Sequence, residues 1–209
     1  MMYDFFVLKR VKMRTIQTIF CTMILLSVVS PTWALDKNGK FAIKGVGNVS
    51  CEQFVQIIEN NDPQKFLFAG WLNGYITAHN QHLKDTFDIV SWEDVETLGT
   101  YVKGHCAKNP KISFFQATTQ LLNEMNDERI VEYVGAENMA LGDQSQKTYV
   151  QVVKRVQSAL KEKGYYKGDE DGVVSEKLNA ALNKFRQTHK LPAANYLDQM
   201  TLHTLFREK

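Results

Sequence analysis

The stretch "KGYYKGDEDG", residues 163–172, decides how the C-terminal third of the chain is interpreted. It places three consecutive acidic residues, Asp169, Glu170 and Asp171, between Gly168 and Gly172. Such a cluster could ligate a metal ion, supply catalytic carboxylates, or form a polar turn between two helices. Each alternative makes a different demand on the neighbouring residues.

A calcium-binding EF-hand loop does not fit this stretch. That loop needs acidic ligands at positions one, three and five, glycine at position six and a bidentate glutamate at position twelve. If Gly172 takes position six, Lys167 takes position one and Leu178 takes position twelve. A cation and an apolar side chain then stand where two of the ligands are required, so we exclude the EF-hand.

A turn explains the acidic stretch better than catalysis does. Paired catalytic carboxylates need a cleft and two different environments, and consecutive residues in a polar turn have neither. Gly168, Asp171 and Gly172 are typical of a structural turn, in which Asp171 caps the following helix and Gly172 takes a positive φ. We expect Asp169 and Glu170 to be solvated.

Three amphipathic segments surround this turn and predict three short helices. Their apolar residues recur at helical spacing, from Val152 to Leu160, from Leu178 to Phe185 and from Leu197 to Phe206. Helices of this length bury their apolar faces by packing together. The sequence therefore predicts a three-helix bundle over residues 149–209.

The order of motifs in this region resembles the peptidoglycan-binding-like domain. The resemblance covers residues 149–206 and rests on an ordered set of motifs: Val156 to Leu160, Gly164-Tyr165-Tyr166, Gly168, Asp171-Gly172, Ala180-Ala181-Leu182, Phe185, Leu191-Pro192, Leu197-Asp198 and Thr201-Leu202. The chain departs from the family pattern after the Asp-Gly pair and at Arg186 and Asn195. The resemblance implies a three-helix module that binds peptidoglycan, usually as an appendage of cell-wall enzymes.

Binding of glycan and stem peptide needs aromatic rings for stacking and polar groups around a shallow groove. Tyr165 and Tyr166 offer rings with polar tips, and Tyr166 is the stronger candidate for an exposed contact. Asn179, Lys184 and Arg186 are candidates for contacts with sugar hydroxyls or stem-peptide carboxylates. The alternative for the tyrosines is core packing, and for the polar residues a solvated helix face.

Residues 1–34 have the pattern of a secretory signal peptide. A basic segment containing Lys9 and Arg14 precedes an apolar stretch over residues 16–29, and small residues precede a cleavage site after Ala34. Translation could start at Met1 or at Met13. The alternative of an uncleaved anchor is disfavoured, because the apolar stretch is short for a bilayer. We therefore expect a periplasmic or secreted protein without a stable membrane span after cleavage.

Removal of the signal peptide changes both the charge and the cysteine content. The segment carries four basic residues and one acid, so the formal net charge falls from +2 to −1. The remaining chain has no basic surface typical of nucleic-acid binding. Cys21 is removed, and Cys51 and Cys106 remain. Two cysteines in an exported chain predict a disulfide bond.

The rest of the chain predicts a helical N-terminal domain over residues 35–142. Apolar residues at helical spacing follow Cys51, Pro63, a capping-box pattern that begins at Ser91, and the pair Asn109-Pro110, which predicts a helix cap at Asn109. The segment 126–141 fits either a last helix or an irregular connector. Residues 143–148 contain no apolar side chain and predict a linker. The predicted fold class is all-α, with a disulfide-linked helical domain followed by a three-helix bundle.

The N-terminal domain weakly resembles small exported helical proteins with one disulfide bond. The resemblance rests on "GWLNGYITAHN", residues 70–80, and on "YVKGHCAKNP", residues 101–110. These proteins include acid-stress chaperones and immunity proteins for secreted effectors. The resemblance implies that residues 35–142 contact another exported or envelope protein.

Catalytic and cofactor-binding motifs are weak in this sequence. His79 and His82 lie three residues apart, but they lack the glutamate of HExxH and a third ligand, so we predict no metal and no cofactor. Gly104-His105-Cys106 superficially resembles the Ser-His-Gly-Cys motif of cell-wall L,D-transpeptidases, but its order differs and Cys106 has a disulfide partner.

Three functions therefore stay open. The first is a non-catalytic exported protein that binds peptidoglycan through the bundle and presents the N-terminal domain at the wall. The second is a periplasmic chaperone- or immunity-like protein without glycan binding. The third is a cell-wall enzyme, which the motifs disfavour.

Overall fold

The computed structural model describes residues 35–141, 144–194 and 196–208, with the side chains of 139–141 and 144–145 excepted. The chain divides after Ala42, and the unit described below is the second one, Ile43–Lys209. The predicted signal peptide lies outside the described residues. In the second unit, residues 43–141 of the predicted N-terminal domain and the bundle belong to one compact body. Within the described part of the chain, no helix is long and apolar enough to span a bilayer.

The first part of the second unit, which we call the helical module (residues 43–128), contains four α-helices. They are α1 (Cys51–Glu59), α2 (Lys65–His82), α3 (Val95–Lys108) and α4 (Phe114–Met125), with 3₁₀ turns at Gly45–Asn48 and Asn126–Glu128. Ser50 and Ser113 begin α1 and α4 with complete capping boxes. Asp94 caps α3, so the predicted start at Ser91 is wrong. The predicted cap at Asn109 is also wrong, because Ser113 takes that role.

The core of the helical module combines an aromatic cluster with a disulfide bond. The rings of Phe54, Phe68 and Phe114 lie 4.7–4.9 Å apart and are almost fully buried. Cys51 opens α1 and pairs with Cys106 in the last turns of α3, which confirms the predicted disulfide. The bond joins two helix ends beside the aromatic cluster.

A β-hairpin replaces the predicted linker. Strands β1 (Ala136–Leu141) and β2 (Gln144–Tyr149) pair antiparallel, with Ala136 opposite Tyr149 and Leu141 opposite Gln144. The linker prediction rested on the absence of apolar side chains. Strand pairing satisfies backbone groups whatever the side chains are, so a polar segment can form a strand when a partner lies beside it. The partner strand is residues 136–141, which belong to the segment 126–141 that fitted either a last helix or an irregular connector.

The bundle (residues 150–207) consists of α5 (Val150–Glu162), α6 (Glu176–Thr188) and α7 (Gln199–Arg207), as predicted. Its core is formed by apolar residues of all three helices and of the loop before α7. They are Val152, Val153, Val156, Leu160, Leu178, Leu182, Phe185, Leu197, Leu202 and Leu205. Ser175 caps α6 and Asp198 caps α7. The mostly helical fold class is confirmed, with the hairpin as its exception.

Charged side chains connect the bundle to the helical module. Arg207 pairs with Glu93 at 2.8 Å and with Glu128 at 2.6 Å, and Arg155 pairs with Glu128 at 2.7 Å. Gln199 donates a hydrogen bond to the Trp92 carbonyl at 2.7 Å. These contacts fix the bundle against the helical module rather than leaving it on a flexible tether.

Candidate functional site

The acidic turn is held by a buried glutamine on α5. Gln157 is fully buried, and its Oε1 accepts a hydrogen bond from the Gly172 amide at 2.8 Å. Its Nε2 donates to Asp171 Oδ1 at 2.8 Å and to the Val173 carbonyl at 3.2 Å. Gly172 has a φ of +82°, the region that favours glycine. The amide of Gln157 therefore determines the path of the turn.

Sequence reasoning missed Gln157, although a signal was present. Gln157 lies one turn after Val153 and one residue after Val156, on the apolar face of α5. A lone amide on such a face is buried only where it finds hydrogen-bond partners. An unexplained glutamine at this position could therefore have indicated an anchored loop.

Asp171 has a different role from the predicted one. Its Oδ1 accepts hydrogen bonds from the Val173 amide at 2.9 Å and from Gln157. These two bonds lower the pKa of the Asp171 carboxyl and keep it ionised. The prediction that Asp171 caps the next helix is wrong, because Ser175 accepts from the Leu178 amide and caps α6. Asp171 instead closes the turn.

The two tyrosines of the turn are packing residues. Tyr166 is 5% exposed and donates from its hydroxyl to the Asp169 carbonyl at 3.2 Å, so the expectation of an exposed ring is wrong. A Cβ at Gly168 would lie 2.2 Å from the Tyr166 hydroxyl, which explains why a glycine follows the tyrosine pair. Tyr165 is half-buried, with its ring 5.3 Å from that of Phe185. The turn folds around the Tyr166 ring and closes it to stacking, while the half-buried Tyr165 stays a prediction as a ligand contact.

Arg186 was expected to reach a ligand, and this expectation is wrong. Arg186 is 2% exposed, and its Nη2 pairs with Asp198 at 3.0 Å. Nε donates to Thr201 Oγ1 at 2.9 Å, and the Nη atoms donate to the carbonyls of Ala194 and Tyr196. The guanidinium therefore clamps the loop between α6 and α7 (the α6–α7 loop) onto the bundle.

A groove opens beside this clamp on the surface of the bundle. It has a volume of about 220 Å³ and is lined by Asn183 and Gln187 of α6 and by Leu191, Ala193 and Ala194 of the loop, with Arg186 beneath. The side chains of Asn183 and Gln187 lie one helical turn apart and are exposed. Asn183 Oδ1 accepts from Arg186 at 3.1 Å, which orients the Asn183 amide. Two neutral amides beside an apolar wall thus form the groove.

The other predicted contacts, Asn179 and Lys184, do not line this groove. Lys184 is exposed on α6 and Asn179 is half-buried one turn earlier, and both stay predictions as ligand contacts. Tyr196 in the α6–α7 loop is 40% exposed, and Arg186 holds its carbonyl. Sequence reasoning missed Asn183, Gln187 and Tyr196, because their grouping depends on how the α6–α7 loop packs on α6.

Two family models match two separate parts of the chain. Residues 150–205 match the model of the family described as "Putative peptidoglycan binding domain", which confirms the resemblance of the bundle. Residues 18–116 match the model of the HdeA/HdeB family, which confirms the resemblance of the N-terminal part to acid chaperones. The second match begins inside the predicted signal peptide. No curated protein and no solved structure matches the chain.

Proposed function

We propose that this chain is a non-catalytic exported protein that binds peptidoglycan through its bundle and holds the helical module at the cell wall. The observation that carries the proposal is the peptidoglycan-binding family match over residues 150–205, which covers almost the whole bundle. Both matching families are binding or chaperone families, which supports a role without catalysis.

The groove beside Arg186 offers suitable chemistry for this ligand. The side-chain amides of Asn183 and Gln187 each donate and accept hydrogen bonds, as the acetamido groups of a glycan and the amides of a stem peptide require. Asp198 neutralises the buried charge of Arg186, so the groove floor has no net charge. The exposed ring of Tyr196 provides an apolar face on the loop that forms the groove wall.

Export to the periplasm is supported by two further features. The HdeA/HdeB match and the Cys51–Cys106 bond both favour an oxidising compartment. The predicted signal peptide over residues 1–34 would deliver the chain there. The bundle would then meet its ligand without crossing another membrane.

Sedimentation with purified sacculi tests the proposal. We expect residues 35–209 to be retained, and the variant Asn183→Ala/Gln187→Ala to bind roughly 10- to 30-fold more weakly, since each lost hydrogen bond contributes about 1 kcal/mol. The matched control replaces two exposed amides of the helical module, Gln81→Ala/Asn123→Ala, and should bind like the natural chain. Absence of retention of the natural chain would overturn the proposal, and release of muropeptides from the sacculi would favour the enzyme alternative.

A specific observation favours chaperone-like binding as a second candidate. The helical module has an apolar groove of about 410 Å³, whose lining includes Phe54, Phe68 and Val95. At its edge Phe66 is 70% exposed, and the adjacent Leu67 is 59% exposed. Exposed apolar residues of this size are typical of protein-binding surfaces. Another exported or envelope protein would be the partner.

Suppression of aggregation separates the two candidates. We expect the natural chain to slow the aggregation of reduced lysozyme, and Phe66→Ser/Leu67→Ser to lose this effect while still binding sacculi. Lys84→Ser, an exposed change outside the groove, is the control. Aggregation suppression without sacculus binding would favour the second candidate alone.

A further inference from the structure

A second concave site lies where the hairpin, the loop 88–94 and the start of α7 meet. The cleft has a volume of about 310 Å³, near the lower end for small-molecule sites. Its polar and aromatic lining includes Asp88, Trp92, Gln146, Lys147, Tyr149 and Gln199. Apolar residues of the bundle core, such as Val152 and Leu202, form its floor. The cleft exists because the two modules are fixed together.

Three aromatic rings extend the cleft onto the surface. Phe87 and Tyr133 lie 5.0 Å apart, and Tyr149 lies 5.6 Å from Phe87 and 6.3 Å from Tyr133. Phe87 is 38% exposed and Tyr133 is 52% exposed. Because Tyr149 also lines the cleft, the rings, which we call the aromatic platform, are continuous with it. Clustered exposed rings beside a cleft are typical of a ligand surface.

Two buried polar atoms of the cleft residues find no hydrogen-bond partner among the described residues. They are the donor Trp92 Nε1 and the acceptor Gln146 Oε1. Buried polar groups are nearly always hydrogen-bonded, so an unsatisfied donor and acceptor at one cleft indicate a ligand that can do both. A hydroxyl group donates and accepts at once.

The charges of the cleft narrow the class of ligand. Asp88 and Asp94 contribute two carboxylates, against one exposed cation, Lys147, while the carboxylate of Glu93 is paired with Arg207. Burial raises the pKa of the Asp88 carboxyl, but hydrogen bonds from Val90 and from Asn80 stabilise its ionised form. An anionic ligand would be repelled by this set. The hydroxyl groups of a neutral ligand can donate hydrogen bonds to the carboxylates and to Gln146 Oε1, and they can accept one from Trp92 Nε1.

We propose that the cleft and the aromatic platform form a second glycan site, in which a neutral sugar ring packs on Phe87 and Tyr133 and its hydroxyl groups enter the cleft. The C–H face of a pyranose matches an aromatic ring, and its hydroxyl groups match Gln146 and Trp92. The proposal deepens the proposed function by naming the glycan strand rather than the stem peptide as a ligand. It requires no contact with the bundle groove.

Titration with the soluble tetramer of β-1,4-linked N-acetylglucosamine, followed by calorimetry, tests this site on residues 35–209. We expect saturable binding that weakens at least tenfold in Tyr133→Ala and in Gln146→Ala. Val173→Ala, which removes an exposed apolar side chain from the turn of the bundle, should bind like the natural chain. Tryptophan fluorescence should change on binding, since Trp92 lines the cleft.

The bundle-groove variant Asn183→Ala/Gln187→Ala distinguishes failure of this proposal from failure of the proposed function. We expect that variant to bind sacculi roughly 10- to 30-fold more weakly and to keep tetramer binding. Equal affinity of the natural chain, Tyr133→Ala and Gln146→Ala for the tetramer would overturn the second site while leaving the bundle groove in place. Saturable binding of a stem peptide with no binding of the tetramer would also overturn it.

Discussion

The helical module and the bundle are stabilised by different kinds of interaction. In the helical module a disulfide joins α1 to α3 beside the aromatic cluster of Phe54, Phe68 and Phe114. The bundle contains no cysteine, and two buried polar side chains, Gln157 and Arg186, hold its loops. One module is fixed by a covalent bond and ring packing, and the other by hydrogen bonds.

This difference matters for the surfaces that each module presents. The disulfide joins helix ends, and neither of its cysteines lines the apolar groove. Arg186 holds the α6–α7 loop, which supplies one wall of the bundle groove. Loss of a clamp in the bundle should therefore change the candidate binding site as well as the stability.

The largest expected effect comes from removing the disulfide. Closure of the loop between Cys51 and Cys106, 55 residues apart, contributes about 4 kcal/mol in the chain-entropy model. We expect Cys51→Ala/Cys106→Ala to lower the free energy of unfolding of residues 35–209 by about this amount. Urea unfolding followed by circular dichroism measures the change.

Reductant provides the internal control for that measurement. It should destabilise the natural chain and leave the double-alanine variant unchanged. If the variant and the oxidised natural chain unfold at the same urea concentration, the covalent bond is not what stabilises the helical module, and the contrast with the bundle fails.

The next largest effect is expected at the clamp of the α6–α7 loop. Arg186→Met keeps most of the side-chain volume but leaves Asp198 and the two loop carbonyls without their donor. Breaking a buried pair of this kind costs about 3 kcal/mol. We expect that loss in urea unfolding, together with loss of sacculus binding because the groove wall moves.

Lys184→Met is the matched control, because Lys184 is exposed on the same helix. Its effect on the free energy of unfolding should be within about 0.5 kcal/mol. Sacculus binding that survives Arg186→Met with a reduced stability would show that the clamp stabilises the bundle without shaping the groove.

Much of the fold could be predicted from the sequence because it rests on local periodicity. The apolar spacing in α5, α6 and α7 and the two cysteines that remain after signal removal required no knowledge of tertiary contacts. The hairpin could not be predicted, since its second strand has no apolar pattern and depends on pairing with residues 136–141. Residues 1–34 lie outside the described part, so the signal peptide stays a prediction.

The candidate site was harder to predict than the fold. Tyr166 and Arg186 looked like ligand contacts because their chemistry suits glycans, yet the chain uses both to pack loops. Whether such a side chain is buried depends on which loop packs over it, and the packing of a loop cannot be predicted from a single sequence. Asn183 and Gln187 are neighbours on α6, but they line a groove only because the α6–α7 loop forms its other wall.

The smallest expected effect concerns Glu128, which joins the two modules. Burial alone would raise the pKa of its carboxyl, but hydrogen bonds and charges from Arg207 and Arg155 outweigh burial and lower the pKa below its ordinary value of 4.5. A carboxyl whose pKa is lower in the folded state than in the unfolded state stabilises the folded protein when the pH is above the unfolded-state pKa. This contribution is lost as the pH falls through the folded-state pKa.

Glu128→Gln tests whether this carboxylate couples the modules in a pH-dependent way. At pH 7 we expect the variant to be less stable by about 1 kcal/mol, because each partner arginine is partly solvated and screened. The difference should shrink below about pH 4.5 and vanish as Glu128 protonates in the folded chain. Glu124→Gln, an exposed change on α4, should follow the natural chain at every pH. A stability difference that stays constant from pH 7 to pH 3 would mean that Glu128 joins the modules through packing rather than through its charge. The polar contacts between the modules would then contribute less to the stability than their geometry implies.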